Sequence, residues 1–240
     1  MERRLDAARA TPPPVLVLPL HGHLAPAAWA AVQARPGLRL GYVQAGGGAL
    51  PGSLSRDVAE LRSRGLLAGH VTAAPAYGGE GEAIALVGAL DAAAELGWEA
   101  VAVGPGPGLI GSDTRYGHGG MAALDAIHAA LALGAPTIIS PRMSSGEQRP
   151  RHRGLSHHTA AVLEMALAPV AVAAPESGAP DELRKACGER HDLRVHRVDL
   201  EGYGASGLPT RTMGRELDED RLFFTAALAG GTALAEEAGP

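Results

Sequence analysis

The segment RMSSGEQRPRHRGLSHHT (residues 142–159) carries the densest group of side chains able to do chemistry. Arginines stand at alternate positions, with histidines among and after them: Arg149, Arg151, Arg153, His152, His157 and His158. Arginines spaced in this way can clamp an anion through paired hydrogen bonds. A histidine, whose pKa lies near neutrality, can move a proton or bind a metal. The segment therefore indicates an anion site with an acid–base or metal-binding group beside it.

A plainer interpretation of the same segment stays open. It could be a solvated basic loop in which Ser156 caps the following helix and one histidine is merely packed. Consecutive side chains of a helix point about 100° apart. We therefore expect at most one of His157 and His158 to face the site.

A second candidate is the glycine-rich segment GPGPGLIGSDTRYGHGG (residues 104–120), which leads into a predicted helix. Bare backbone N–H groups and a positive helix end can hold a phosphate or a carboxylate. The expected anion-binding positions are Gly106, Gly108, Gly111, Ser112 and Thr114. The segment is not a convincing GxGxxG dinucleotide fingerprint, and the alternative is a tight Gly/Pro turn with Ser112 or Asp113 capping the helix.

A metal site is a further hypothesis. His21 and His23 follow the first predicted strand and, with His157 or His158, could supply two or three ligands of a divalent metal. Carboxylates from Glu80, Glu82 and Asp113 could complete the set. The chain has neither an HExxH motif nor the His/Cys spacing of zinc sites, so the cofactor stays open.

Other residues stand in loops that are expected at the same place. They are Gly47, Gly48, Ser53, Arg56, Glu80, His152, Thr212 and Arg215. Arg215 could return to neutralise the anion, whereas Asp218, Glu219 and Asp220 favour an acidic first helical turn over a metal cluster. The remaining histidines are interpreted as surface or packing residues: His70, His118, His128, His191 and His196.

The elements that position these residues follow from hydrophobic patterning. Short apolar runs predict strands at 15–20, 38–44, 66–74, 100–104, 136–140, 170–174 and 193–198. Between them, helical patterns lie near 27–34, 54–64, 80–96, 119–133, 155–167 and 181–190, with a last one at 217–235. Strands without alternation are buried on both faces, which predicts a single α/β domain with a doubly wound, mostly parallel sheet of about seven strands and helices on both faces. Ligands in such folds bind at the carboxyl ends of the strands, where the arginine, histidine and glycine loops would gather.

Composition narrows the class of protein. The 240 residues suit one domain at 15–240, after a frayed leader at 1–14. A net charge of −5 and 3% aromatic residues disfavour nucleic acid as a partner. Lys185 is the one lysine, which restricts Schiff-base chemistry to this residue, and Cys187 is the one cysteine, so no internal disulfide is expected. Neither a nicotinamide nor a pyridoxal cofactor is expected. The apolar runs are too short to span a membrane, which favours a cytoplasmic protein, with a homo-oligomer possible.

Five strings in the chain resemble a known family. They are YVQAGGGALPGSLSR (residues 42–56), AYGGEGEA (76–83), GPGLIGSDTRYG (106–117), RHRGLSHHT (151–159) and TMGRELDED (212–220). In this order they resemble the bacterial domain-of-unknown-function family numbered three thousand eight hundred and sixty-six, over nearly the whole chain. The resemblance supports the choice of motifs and implies no reaction. Members of the family have an acidic residue in place of Gly46, a glycine in place of Asp113, and often an N-terminal β-rich segment that this chain is expected to lack.

Three functional hypotheses follow. The first is an enzyme that acts on a small anionic metabolite, such as a phosphorylated one, by hydrolysis or group transfer. In it the glycine loop, Arg151, Arg153 and Arg215 hold the anion, while His157 or His158 acts as general acid–base with His21 assisting. The second is a non-catalytic ligand-binding or scaffolding module that uses the same pocket, and the third is a metal-dependent hydrolase that uses the histidines.

Overall fold

The protein is built around an eight-stranded sheet in which every strand pairing is parallel, as seen in a computed structural model that describes residue 2, residues 10–178 and residues 181–239. Its strands are β1 (Val15–Val17), β2 (Leu40–Ala45), β3 (Gly69–Ala73), β4 (Gly81–Ala83), β5 (Ala100–Pro105), β6 (Thr137–Ile139), β9 (Ala171–Pro175) and β10 (Asp192–His196). Two short antiparallel pairs lie outside the sheet: β7 (Met143–Ser144) with β8 (Gly154–Leu155), and β11 (Arg211–Thr212) with β12 (Arg215–Glu216). The strand order in the sheet is β10-β9-β6-β1-β5-β2-β3-β4.

Helices cover both faces of the sheet. In the described residues they are α1 (Leu24–Ala34), α2 (Arg56–Ser63), α3 (Leu86–Asp91), α4 (Ala122–Leu133), α5 (His157–Met165), α6 (Asp181–Cys187), α7 (Leu200–Ala205) and α8 (Arg221–Glu237). Helices α1, α2, α7 and α8 form one apolar layer, and α3 to α6 form the other. Strand β1 shows why the sheet is apolar throughout, because Val15 and Val17 pack into one layer while Leu16 packs into the other.

The predicted fold class is confirmed, and the sheet has one strand more than the seven predicted. The additional strand, β4, lies within the segment 80–96, for which a continuous helix was predicted. That prediction is wrong at 81–83, because these residues pair in parallel with β3 and the helix α3 begins only at Leu86. Glu80 and Glu82 therefore do not lie in a first helical turn. The short helix α7 was also missing from the prediction.

The other predicted elements are present with shifted ends. The first helix begins at Leu24 rather than residue 27, and the last helix at Arg221 rather than residue 217. Of the leader expected at 1–14, residues 1 and 3–9 lie outside the described residues. Among the helices of the described residues, none combines the length and the apolar character that crossing a membrane requires.

Candidate functional site

The candidate site lies where the chain switches from one face of the sheet to the other. After β1 the chain enters α1 on one face, whereas after the neighbouring strands β5 and β6 it enters α4 and α5 on the opposite face. Loops that diverge in this way leave a crevice at the carboxyl ends of the strands, which is where doubly wound folds bind ligands. A cavity of about 480 Å³ opens at this point.

The cavity is lined by loops from both sides of the switch point and by the β11–β12 turn. The residues after β1 and β5 are Leu20, His21, Gly22, Gly108, Leu109, Ile110, Gly111 and Ser112. The remaining ones are Arg142, Arg149, Arg151, His152, His158, Arg211, Thr212 and Met213. Four arginines and no acidic residue thus line one cavity, so its electrostatic character is that of an anion site.

Arg142 is the buried member of this set. It is 5% exposed, yet none of the ion pairs between described residues involves it. Its guanidinium instead contacts His158 Nδ1 through Nη1 at 3.0 Å and Met213 Sδ through Nη2 at 3.7 Å. Burial, followed by the nearby charge of Arg149, lowers the pKa of Arg142 to about 10, so the side chain stays cationic at neutral pH.

The other lining arginines each have an acidic partner. Arg149 pairs with Glu147 at 2.7 Å, Arg151 with Asp113, and Arg211 with Glu216 at 3.4 Å. These pairs leave the guanidinium of Arg142 as the lining cation without a carboxylate partner among the described residues. Burying a charge without a counterion is costly, and a bound anion would remove that cost.

The β11–β12 turn brings the motif TMGR to the cavity. Met213 and Gly214 have φ of +45° and +83°, as a two-residue turn with positive φ at both positions requires. Gly214 takes this conformation freely, whereas Met213 is held in one that side chains rarely adopt. The turn directs the sulfur of Met213 to the guanidinium of Arg142.

Four imidazoles form a cluster behind Arg142. The rings of His118 and His158 are stacked, with centroids 3.5 Å apart and planes inclined by 6°. His157 lies 4.4 Å from His158, and His152 lies 4.8 Å from His158, measured between ring centroids. Both histidines of the helix start therefore join one cluster, but of the two only His158 lines the cavity, in line with the different directions that consecutive helical side chains take.

The contacts of these rings define where their protons lie. A guanidinium can only donate, so His158 Nδ1 accepts the hydrogen bond from Arg142. Burial and the charge of Arg142 lower the pKa of His158 to about 2 and that of His152 to about 3. Burial also lowers the pKa of His118 and of His157. The cluster is therefore neutral at neutral pH, and each ring carries one N–H and one nitrogen lone pair.

Local structure places this cluster. Ser156 has an extended backbone conformation and is the N-cap residue of α5. Its Oγ accepts a hydrogen bond from the backbone N–H of His158. The predicted helix cap at Ser156 is thus present, and the same Oγ lies 2.7 Å from His152 Nδ1. His118 reaches the cluster from the end of the glycine loop, where Gly120 leaves no room for a side chain: a Cβ there would lie 3.0 Å from His118 Nδ1.

His21 and His23 lie in the turn that follows β1. His21 faces the cavity, its Nε2 lies 2.8 Å from Ser55 Oγ, and burial lowers its pKa. His23 is completely buried, and its Nδ1 lies 3.0 Å from Ser140 Oγ at the end of β6. Burial, and then the charge of Arg142, lower the pKa of His23 to about 3.

His23 is expected to make the fold sensitive to acid. An unfolded histidine titrates near 6.5, so below that pH the unfolded chain takes up a proton that folded His23 refuses until about pH 3. The contribution of neutral His23 is complete above pH 6.5 and is lost progressively as the pH falls towards 3, by about 1.4 kcal/mol per pH unit. His23→Asn keeps a side chain able to contact Ser140 and does not titrate. Urea unfolding between pH 7.5 and 4.5 should give a shallower pH dependence for this variant, and equal slopes would contradict the assignment.

A second buried network braces the loop that carries Arg149 and Arg151. Asp220 is fully buried and accepts hydrogen bonds from Ser144 Oγ at 2.6 Å and from Arg215 Nε at 2.9 Å. Its other oxygen accepts the backbone N–H groups of Ser145 and Gly146. Asp220 precedes α8, but its carboxylate makes no helix cap. Asp220 thus attaches the loop after β6 to the start of α8.

Some of the predicted catalytic and anion-binding residues line the cavity, and others do not. His158 and His21 line the cavity, whereas His157 packs behind His158. Of the predicted anion-binding residues, those that line the cavity are Gly108, Gly111, Ser112 and Arg151. Those that do not are Gly106, Thr114, Arg153 and Arg215. Arg215 is instead bonded to Asp220, and Arg153 donates to the carbonyl of Glu147.

The glycine loop does not enter a helix directly. A 3₁₀ turn at Gly119–Met121 precedes α4, which begins at Ala122, so neither Ser112 nor Asp113 caps a helix. Ser112 Oγ donates to the carbonyl of Gly117 and Thr114 Oγ1 accepts its N–H, so part of the loop satisfies itself. The loop therefore presents a wall of glycines to the cavity rather than a helix end.

Of the other residues predicted to line the pocket, some line the cavity and others do not. His152 and Thr212 line the cavity, whereas Gly47 lines a neighbouring one of about 310 Å³ that also contains His118. Gly48, Ser53, Arg56 and Glu80 line neither of these cavities. Glu80 pairs with Arg62 at 2.7 Å on the exposed side of α2.

Sequence reasoning missed the two central residues of the site. His118 was interpreted as a packing or surface residue; it is buried and packs on His158, which places it inside the histidine cluster. Arg142 was treated only as the start of a loop, although it is the buried cation of the cavity. A signal for Arg142 was its position directly after the predicted strand 136–140, where a parallel sheet delivers side chains to its binding edge.

Fold and site together define a doubly wound α/β protein with an arginine- and histidine-lined pocket at its switch point. The family described as "Protein of unknown function (DUF3866)" has a model that matches residues 4–231, so the chain belongs to this family. This confirms the resemblance inferred from the five strings. Comparisons with curated proteins and with solved structures give no match.

Proposed function

We propose that this protein binds a small anionic metabolite, phosphorylated ones included, in the cavity at the switch point, and acts on it by hydrolysis or group transfer. The observation that carries the proposal is the buried guanidinium of Arg142, which faces the cavity without a carboxylate partner among the described residues. A planar guanidinium matches the two oxygens of a phosphate or carboxylate. The cavity volume of about 480 Å³ suits a metabolite rather than a polymer.

The reaction requires a group that accepts a proton, and two histidines at the cavity supply it. His21 is kept neutral by burial, which leaves it able to accept a proton from an attacking water or hydroxyl group, and His158 joins it once the bound anion has drawn Arg142 from its Nδ1. The proposed chemistry uses no nicotinamide or pyridoxal cofactor. The buried thiol of Cys187 has a raised pKa and forms no disulfide, which supports a place in the reducing cytoplasm.

A non-catalytic binding module is the second candidate, and one contact favours it. The lone pair of His158 Nδ1 is already occupied by Arg142, and a pKa near 2 makes this ring a weak base. Unless the ligand draws Arg142 away, His158 cannot take a proton through that nitrogen. In this reading the protein senses an anion without converting it.

The test is a thermal-shift screen of matched pairs of compounds, each a phosphorylated metabolite and its dephosphorylated counterpart. We expect the phosphorylated member to raise the melting temperature, since a ligand of the folded state stabilises in proportion to RT ln(1 + [L]/Kd). Mass spectrometry of the recovered compound then separates the two candidates: a changed compound supports the enzyme, and an unchanged one supports the binding module. Equal shifts for both members of every pair would refute an anion site.

A further inference from the structure

The histidine cluster has the composition of a metal site. Among the described residues, ring nitrogens of His118, His157 and His158 all lie within 4.8 Å of one another. His118 and His158 are more than nine-tenths buried, with 7% and 6% exposure. Three histidines that converge from two separate loops are the ligand set of catalytic zinc sites with one open position.

Several of these nitrogens are buried and make no hydrogen bond. They are both ring nitrogens of His118 and Nε2 of His157. The carbonyl of Arg115 lies close enough to His118 to favour its charged form, but not in the geometry of a hydrogen bond. Buried polar atoms in native proteins are nearly always satisfied, and each one that is not needs an explanation. A metal ion bound by one nitrogen of His118 and by Nε2 of His157 would satisfy two of these three atoms.

Metal binding requires the rings to turn as well as to approach each other. The lone pair of an imidazole nitrogen lies in the ring plane, and the rings of His118 and His158 are stacked with planes inclined by 6°, so one of them must rotate before both can point at one ion. Zinc–nitrogen bonds of about 2.0–2.1 Å at tetrahedral angles place the nitrogens about 3.4 Å apart. Because the nitrogens all lie within 4.8 Å of one another, no pair has to close by more than about 1.4 Å. Gly119 and Gly120 follow His118 directly, and such residues allow the backbone to adjust. The absence of a side chain at Gly120 also keeps the space beside the nitrogens of His118 and His158 open.

We propose that His118, His157 and His158 bind a divalent transition metal of the zinc class, and that Arg142 competes with this metal for His158. Neutral imidazole is a ligand that Zn²⁺ and its neighbours accept readily. The site differs from a His21-based set, because the ring of His21 contacts Ser55 rather than the cluster. The proposal does not rest on the proposed anion chemistry, since metal alone would bind.

Arg142 and a metal ion compete because the imidazole of His158 has one lone pair, whichever tautomer it takes. A metal bound at His158 Nδ1 needs the lone pair that Arg142 now uses. A metal bound at Nε2 requires the proton to move to Nδ1, where it would oppose the N–H of Arg142. Arg142 must release His158 in either case, and the repulsion between guanidinium and metal acts in the same direction. His158 also lines the cavity, so a released Arg142 would be free to turn to an anion there.

The experiment titrates Zn²⁺ alone into the metal-free full-length protein by calorimetry, with Co²⁺ absorption as a second readout. We expect one ion per chain with a Kd below about 10 μM, and a visible Co²⁺ spectrum typical of four-coordination. His118→Ala and His157→Ala should each weaken binding by at least about 100-fold. The matched control is His128→Ala, a histidine of α4 that bonds to the backbone of Leu167, and it should leave the Kd within about twofold.

Arg142→Met gives the sharper outcome, because its expected effect is a gain. Removing the competing cation should tighten Zn²⁺ binding by at least about tenfold in a folded protein. A structural histidine cluster without a metal function would show no such gain. The proposal is overturned if Zn²⁺ binds no tighter than about 1 mM, if the His157→Ala variant binds as wild type does, or if Arg142→Met weakens binding.

Discussion

Arg142→Met is expected to lose at least about 100-fold in affinity for inorganic phosphate or pyrophosphate, while the ligand-free protein keeps or gains stability. The loss follows because truncating a buried charge that pairs with a ligand typically costs about 2–5 kcal/mol of binding. The absence of a destabilising effect follows because the guanidinium is 5% exposed and has no carboxylate partner to leave behind. Methionine also fills much of the volume of the arginine stem.

The matched control is Arg194→Met on strand β10. Arg194 is also an arginine, but it is more exposed and pairs with Asp192 and Glu237 away from the cavity. Exposed ion pairs contribute little, so both the affinity and the melting temperature should stay close to wild type. Calorimetry measures the first quantity and a thermal melt the second. Unchanged phosphate affinity in Arg142→Met, or a large loss of its stability, would contradict the unpaired-cation interpretation.

Asp220→Ala is expected to reduce the free energy of unfolding by about 3–5 kcal/mol, because it removes the carboxylate at 2.9 Å from the part-buried guanidinium of Arg215, whose contact with Glu147 is longer, at 3.7 Å. The carboxylate is fully buried and accepts from Ser144, Arg215 and two backbone N–H groups, all of which would lose their partner. For a domain of this size the midpoint of thermal unfolding should fall by about 6–20 °C.

Asp218→Ala is the matched control for this prediction. Asp218 lies two residues away in the same motif, but its side chain is 86% exposed and pairs only with Arg221. Its removal should leave the midpoint nearly unchanged. If the two variants melted alike, Asp220 would not be the attachment between α8 and the loop after β6.

The pattern of elements could be predicted because it depends on local sequence. Apolar runs such as 100–104 have no alternation, and a strand with that pattern must be buried on both faces. Strand β4 escaped prediction because its sequence, Gly-Glu-Ala, is short, polar and next to a helix-favouring stretch. Its hydrogen bonds to β3, and not a strand propensity of its own residues, hold this segment as a strand.

The sequence predicted where the site lies better than it predicted which residues line it. Parallel strands deliver their following loops to one edge, so His21, Arg151 and His158 could be assigned to that edge from order alone. The order of residues along the chain does not show which arginine lacks a carboxylate partner. Arg215 and Arg142 look equivalent in the sequence, but Arg215 finds Asp220 while Arg142 finds none of the described carboxylates.

The sequence by itself determined the class of fold, the edge at which chemistry gathers and the motifs that mark the family. These depend on composition, on periodicity and on the order of residues along the chain. Only the tertiary structure decided that His118, in the loop after β5, joins His157 and His158, at the start of the helix after β6, since β5 and β6 both lie beside β1 in the sheet. It also decided which cation is left without a counterion. Burial and pairing depend on distances in space, and sequence neighbours do not determine these distances.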